Sequence, residues 1–301
     1  MKINTTENVR PDSPDATVSV KIAGNVIEVR YMNFRGGSPV QKINKDYGMD
    51  LRTGEVIEYR HNENRSQDTA SVAQSLKRLR DLINMNTRNY KRVLWVTLTY
   101  KNNMTDENKL YQDYRKFWQR FLRYLRKNNH PKAEYIAAAE PQERGAWHLH
   151  CLFIFPQKAP FIPNADLERI WKNGFTKTKS LKDVDNPGLY LTAYLGDMEY
   201  EAAKASGNAS GRIVELEDST TRKRKAIVKG ARLHLYPPGF NLYRHSRGIA
   251  LPITFETTEH KAMEIVGSAK LTYEKTIRMT DEVGNGKKVI NYRQYNCARK
   301  E

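Results

Sequence analysis

Cysteine is almost absent: Cys151 and Cys297 are the only two in 301 residues. Two thiols cannot build a disulfide framework or a cysteine-rich zinc module, which suits a reducing compartment. No apolar run approaches the roughly 18 residues that a membrane-spanning helix needs. The opening MKINTTENVRPDSPDAT lacks the apolar core of a secretory signal. Neither an amphipathic anchor nor a lipidation motif is present, so a cytoplasmic protein with no membrane partner is expected. No G-x-x-x-x-G-K-[ST] loop occurs, which leaves no built-in helicase motor. A G-x-S-x-G elbow and an H-x-x-x-H pair are also missing, against a serine hydrolase and a helical zinc protease. None of the five histidines outside His148 and His150 starts an H-x-[ST], which counts against a phosphoesterase built on two such motifs.

Acidic residues are scarce as well, with Asp+Glu 34 against Lys+Arg 51 and a net charge of +17. Such an excess favours a polyanionic partner, because each phosphate neutralised by Lys or Arg releases condensed counterions. Nucleic acid is the expected partner. Hydrophobic residues at 39% and charged residues at 28% suit a globular chain of one large or two ordinary domains and exclude collagen-like or wholly disordered classes.

Residues 1–16 are polar, hold Pro11 and Pro14, and read as disordered. VSVKIAGNVIEVRYMNF (18–34) alternates around Gly24-Asn25, a hairpin pattern inside an N-terminal β region taken as 17–66. Val72, Leu76, Leu79 and Ile83 mark one face of a helix over 69–86, with Asp68 as its cap. RVLWVTLTY (92–100) is β-branched and aromatic, as a buried strand should be. Over 105–128, Leu110, Tyr114, Phe117, Trp118, Phe121, Leu122 and Leu125 form a helical stripe, and Lys109, Lys116, Arg120, Arg123 and Lys127 share another face. AEYIAAAE (133–140) and WHLHCLFIF (147–155), joined by PQERGA, predict an antiparallel hairpin. A short helix near 164–172 and a strand at 174–180 follow. Asp185-Asn186-Pro187 starts a helix that is expected to run on through LYLTAYLGDMEYEAAKA. The central domain is taken as 67–205. A flexible basic stretch follows over 206–232, and a β-rich C-terminal region over 233–301 contains a hairpin at 264–295 but no helical pattern. The order of elements predicts an α+β fold around a central antiparallel sheet of about five strands, flanked by helices and by additional N- and C-terminal β-rich segments.

His148-Leu149-His150 lies on a strand, so both imidazoles point one way and Leu149 and Cys151 the other. Such a pair suits a divalent cation, or else stands as two hydrogen-bonded or solvent-facing histidines. Glu140 ends the preceding strand. If it pairs near His148, two nitrogens and an oxygen suit Mg²⁺ or Mn²⁺ at a phosphate; otherwise it pairs with Arg144 at the hairpin end. Tyr190 and Tyr194, at i and i+4, share a helix face. Phenols so placed suit nucleophilic attack on a phosphodiester, or packing in a core stripe beside Leu191 and Leu195. Arg222, Lys223, Arg224, Lys225, Lys229 and Arg232 form the densest basic cluster, and together with the cations of 109–127 they are the candidate DNA contacts. Tyr236, Phe240 and Tyr243 nearby suit stacking on unpaired bases.

These residues resemble the HUH endonucleases, and among them the rolling-circle replication initiators of small phages and plasmids. WVTLTY (95–100) resembles the first, strand-borne motif. WHLHCLF (147–153) resembles the metal-binding His-hydrophobic-His strand, with Glu140 where members supply an acidic ligand, and YLTAY (190–194) resembles the catalytic-tyrosine helix. YPPGFNLYRHSRGI (236–249) is similar to a segment of initiator-type proteins from Gram-positive bacteria and their mobile elements. Members often carry a lysine three residues after the tyrosine, where this chain has Ala193 and Asp197. The resemblance spans about 92–200. It implies a five-stranded antiparallel sheet with the histidines on a central strand and Mg²⁺ or Mn²⁺ held by His148, His150 and Glu140. It also implies attack by Tyr190 or Tyr194, leaving a 5′-phosphotyrosyl link and a free 3′-hydroxyl. Single-stranded and origin DNA, a host helicase and a host polymerase, in a bacterial cytoplasm, would be the partners. A transposase or conjugative relaxase shares this chemistry, and a nucleic-acid-binding module that does not cut is the remaining reading.

Overall fold

A computed structural model describes the chain except residues 1, 5–7, 35–39, 52, 60–68, 143, 183, 206, 208–212, 218–223, 281–286, 300 and 301. For residues 2–4, 69, 70, 194, 215–217, 224, 225, 280 and 287 it describes the backbone alone. In chain order the strands β1 (Lys2–Asn4), β2 (Thr17–Ala23), β3 (Val26–Met32), β4 (Val40–Lys42), β5 (Tyr47–Asp50) and β6 (Val56–Glu58) come first. Then follow α1 (Thr69–Asn86), β7 (Val93–Thr99), α2 (Glu107–Lys127), β8 (Glu134–Pro141), β9 (Trp147–Ile154), α3 (Asn164–Trp171), β10 (Thr176–Lys179) and α4 (Pro187–Gly196). After these come β11 (Met198–Glu199), α5 (Tyr200–Ala205), β12 (Ile213–Glu217), β13 (Arg224–Val228) and β14 (Tyr243–His245). The chain closes with β15 (Ile253–Thr258), α6 (Glu259–Val266), β16 (Lys270–Thr280) and β17 (Lys287–Asn296). Among the described residues no helix is long and apolar enough to cross a membrane.

The chain divides into two units, one made of Met1–Asn62 and Pro252–Glu301, the other of Glu63–Leu251. The division falls at 62/63 and 251/252, where the sequence pattern suggests 66/67 and 232/233. In the first unit six strands run in the order β1-β16-β17-β3-β2-β15, and β4, β5 and β6 form a separate sheet. Val18, Val20, Ile27 and Val29 alternate onto one face and pack against Ala262 and Val266 of α6. Arg293 is fully buried there and forks onto Glu259 at 2.5 and 2.7 Å.

The second unit is built on a five-stranded, wholly antiparallel sheet in the order β10-β7-β9-β8-β14. Strand alternation sorts its two faces. Leu94, Val96, Leu98, Leu149, Cys151 and Phe153 face a core completed by Leu110, Phe117, Phe121 and Leu125 of α2 and by Leu167 and Trp171 of α3. Each large side chain buried there contributes about 1.5–3 kcal/mol. The N-terminus of α2 is capped by Asp106, whose carboxylate accepts from Asn108 N and Lys109 N at 2.8 and 3.1 Å. Trp95, Leu152, Ile136 and Ala138 face the other way, under Leu79, Leu82 and Ile83 of α1 and Leu191 and Leu195 of α4. The α+β class, the antiparallel central sheet and the flanking helices follow the sequence pattern.

Several elements differ from it. The helix entered at Pro187 stops at Gly196 rather than running to 205: Asp197 is extended and its carboxylate takes Lys229 Nζ at 2.6 Å and Gly230 N at 3.1 Å, after which Met198 pairs with Val228. The stretch read as a flexible linker supplies β12 and β13, which pair with each other and with β11. The C-terminal region does contain a helix, α6, capped by Thr258; its buried face is only Ala262 and Val266, too short a pattern to stand out. Lys2–Asn4, within the segment read as disordered, form an edge strand on β16. Asp68, the expected cap of α1, lies outside the described residues.

Candidate functional site

Strand β9 sits between β7 and β8, and its register sets two rows across the sheet: Thr97, His150 and Ala138 in one, Thr99, His148 and Glu140 in the next. Leu149, Cys151 and Phe153 are drawn into the α2 side, so the histidines must take the opposite face. On that face α1 and α4 cover the apolar rows, and the polar rows lie beyond them.

His150 is 6% exposed and held from both sides, with Nδ1 3.3 Å from Thr97 Oγ1 and Nε2 2.5 Å from Glu140 Oε2. The other oxygen of Glu140 lies 3.2 Å from Arg232 Nη1. Burial pushes the Glu140 carboxyl up, but the His150 hydrogen bond and the charges of His150 and Arg232 outweigh it, and the group stays below the ordinary carboxylate range. Arg144 does not pair with Glu140; its Nε lies 3.3 Å from Gln142 Oε1. Burial pushes the His148 imidazole down to about 4, so it is neutral at physiological pH. Its Nε2 is buried and has no hydrogen-bond partner among the described residues.

Tyr190 enters from α4. Asn186 caps this helix by accepting from Leu189 N at 3.0 Å. The buried Asn84 amide of α1 then donates to Asn186 Oδ1 at 3.0 Å and accepts from Gly188 N at 2.8 Å. The helices are so close here that a Cβ on Gly188 would meet Arg80 O at 2.4 Å, which only glycine avoids. Leu191 and Leu195 turn into the core, while Tyr190 is 41% exposed and meets the Trp95 ring edge-on, centroids 5.6 Å apart. The same Trp95 ring stands 6.1 Å from His150. Tyr194 lies one turn further along α4, and its side chain is outside the described ones.

The far end of the site is tied by residues from the returning chain. Arg232 donates to Pro141 O at 2.8 Å and to Asp197 O at 3.2 Å, and Tyr236 donates to Ala139 O and Leu195 O at 2.8 and 3.0 Å. These bonds join the end of β8 to the end of α4.

The sequence-derived cations are dispersed. The apolar stripe of α2 packs on the face opposite the histidines, so Lys116, Arg123 and Lys127, all exposed, lie beyond the other side of the sheet. Lys109 pairs with Asp113 at 3.2 Å, and Arg120 donates to the carbonyls of Ile170 and Trp171 at 2.6 and 3.0 Å, capping the C-terminus of α3. Arg222 and Lys223 lie outside the described residues, as do the side chains of Arg224 and Lys225. Lys229 pairs with Asp197 at 2.6 Å, and Arg232 alone of the group reaches Glu140. The site residues the motif reading left unassigned are Trp95, Thr97 and Tyr236. Alternation along WVTLTY places the first two on the histidine face, but Tyr236 acts across the fold and leaves no local signal.

Among the described residues no three histidine, cysteine or acidic side chains stand together as a ready metal-holding group. The chemistry of the donors nevertheless suits a divalent cation: His148 Nε2 is buried, neutral and unpartnered, directly across the ladder from Glu140. Holding one there requires Glu140 and His150 to give up their mutual hydrogen bond.

Residues 93–199, about a third of the chain, match the family of replication-associated proteins of the ORF2 type. The match covers the histidine strand, Glu140 and the tyrosine helix, and supports a replication-initiator role. No curated protein and no solved structure matches the chain.

Proposed function

We propose that this protein nicks and rejoins single-stranded DNA to initiate replication of a phage, plasmid or mobile element, with HUH-type chemistry on the histidine face of the five-stranded sheet. The observation that carries the reading is the meeting of Tyr190 and His150 on one indole, Trp95, inside the segment that matches the replication-associated family. An exposed phenol beside a buried imidazole–carboxylate pair suits attack on a phosphodiester.

In this reading the Tyr190 oxygen loses its proton and forms a bond to phosphorus. The bond to the 3′-oxygen breaks, and that oxygen leaves as a hydroxyl once protonated. The DNA 5′ end stays on tyrosine, and a later 3′-hydroxyl reverses the step, which is the joining reaction. Arg232 keeps the Glu140 carboxylate charged, Thr97 and Glu140 fix the His150 ring, and Asn84 fixes the start of the tyrosine helix. His148, His150 and Glu140 would hold Mg²⁺ or Mn²⁺, which when bound supplies positive charge at the scissile phosphate. Tyr194, one turn along α4, is the candidate second nucleophile.

The test is a pool of single-stranded DNA and an origin-bearing strand, each incubated with Mn²⁺ or with EDTA. Covalent adducts are separated on a denaturing gel and mapped by mass spectrometry in wild type, Tyr190→Phe and Tyr194→Phe. An EDTA-sensitive adduct on a tyrosine supports the reading and names the nucleophile. Tight binding of the origin strand without an adduct removes the catalytic reading in favour of a binding module.

A further inference from the structure

The edge strand of the same sheet presents side chains that the proposed chemistry does not use. In β10 the register places Lys177 opposite Thr97 and Lys179 opposite Trp95. Thr99 N donates to Phe175 O at 3.0 Å, so the pairing extends one residue before the strand and sets Phe175 opposite Thr99. Alternation then puts Phe175, Lys177 and Lys179 along the face that carries Thr99, Thr97 and Trp95, and sends Thr176 to the buried side. Phe175 is 55% exposed, Lys177 is exposed, and Lys179 Nζ lies 5.3 Å from the centre of the Trp95 ring that Tyr190 also meets. The strand is pinned where this row begins. A Cβ on Gly174 would meet Thr99 O at 2.2 Å and Lys101 N at 2.5 Å, so the residue before Phe175 admits no side chain.

We propose that Phe175, Lys177 and Lys179 form a rail for the single strand of DNA that leads to the tyrosine. Phe175 stacks on a base, and the two lysines pair with successive phosphates. Side chains two residues apart on a strand stand about 6.8 Å from each other. That is about twice the ~3.4 Å rise of a stacked strand, the spacing left when a ring enters between two bases. An aromatic platform beside a line of cations is how single strands are held without sequence reading, and a paired duplex offers the phenyl ring no free base face. The location of the rail beside the tyrosine rests on the nicking reading; its affinity for single strands does not.

The experiment measures fluorescence anisotropy of a labelled poly-dT strand with the full chain, in EDTA, over a range of salt. Phe175→Ala should weaken binding about 5- to 150-fold and Phe175→Tyr should retain it. Lys177→Gln combined with Lys179→Gln should lower the salt slope by about 1.4, two phosphates at about 0.7 each. Circular dichroism and melting of each variant confirm that it is folded. Binding within about twofold of wild type in folded Phe175→Ala, with an unchanged slope in the lysine pair, overturns the rail, as does a wild type that binds no single strand. Adduct formation with an origin-bearing strand is read separately. Adducts with rail variants that bind like wild type remove the rail and leave nicking; rail-dependent binding without adducts removes nicking and leaves the rail.

Discussion

Arg232 Nη1 stands 3.2 Å from Glu140 Oε1, and both side chains are largely buried. The same guanidinium holds the carbonyls of Pro141 and Asp197, so one side chain from the returning chain charges the acidic group and fixes the strand end that presents it.

Removing this guanidinium leaves Glu140 buried with half its compensation. Arg232→Met should lower stability by about 2–3 kcal/mol, somewhat less than for a fully buried pair because some of each side chain meets water. Urea unfolding measures it, and a change below about 0.5 kcal/mol, on the order of ordinary surface substitutions, would show the pair to be idle.

Gly188→Ala places a methyl group against Arg80 O and Asn84 Oδ1 and must part α1 from α4. We expect a loss of about 1–3 kcal/mol from overpacking, read as a lowered melting temperature. Because Tyr190 rides on the same turn, adduct yield should fall further than stability explains at temperatures where the variant is folded.

Tyr190→Phe and Tyr236→Phe should behave oppositely. Tyr190 is 41% exposed, so losing its hydroxyl should change stability by less than about 0.5 kcal/mol while ending any adduct on that residue. Tyr236 is buried and donates to two carbonyls; its loss should cost about 1–3 kcal/mol. Paired denaturation and adduct assays separate the two, and equal stability losses would contradict the assignment.

Acid should weaken the first unit through Glu274. The hydrogen bond from Arg10 holds its carboxyl below the ordinary value of 4.5. A carboxylate with a lowered folded pKa adds stability that is full above the unfolded value and disappears as pH falls through the folded one. Glu274→Gln should therefore lose about 1 kcal/mol or less near pH 7 and flatten the acid limb below pH 4.5. Unfolding midpoints from about pH 7 to about pH 3 measure this, and parallel curves for variant and wild type would refute it.

Much of the site is legible in local pattern. WHLHCLF alternates strictly, so its histidines share a face in any half-buried strand, and the short turn to AEYIAAAE brings Glu140 beside them. Asn186-Pro187 marks the start of the tyrosine helix for equally local reasons. What stays hidden depends on residues distant in sequence. The helix stops at Gly196 because Asp197 is claimed by Lys229 and Gly230, although the residues beyond carry an apolar pattern that would continue it. Arg232 reads as one cation in a basic run, and only the return of the chain beside β8 gives it Glu140. The cations of α2 mislead in the other direction: they share a helical face, but the helix covers the wrong side of the sheet.

The first unit joins strands from both ends of the chain, with β17 pairing to β3 and β15 to β2. Ribosomal synthesis therefore delivers the whole of Glu63–Leu251 before the partners of the first hairpin exist. A chain cut short by premature termination would carry the second unit finished and the first with open strand edges. Such products are the ones a cell's proteases and chaperones should clear first, so the segment from Pro252 onward acts as a proof that the message was read to its end.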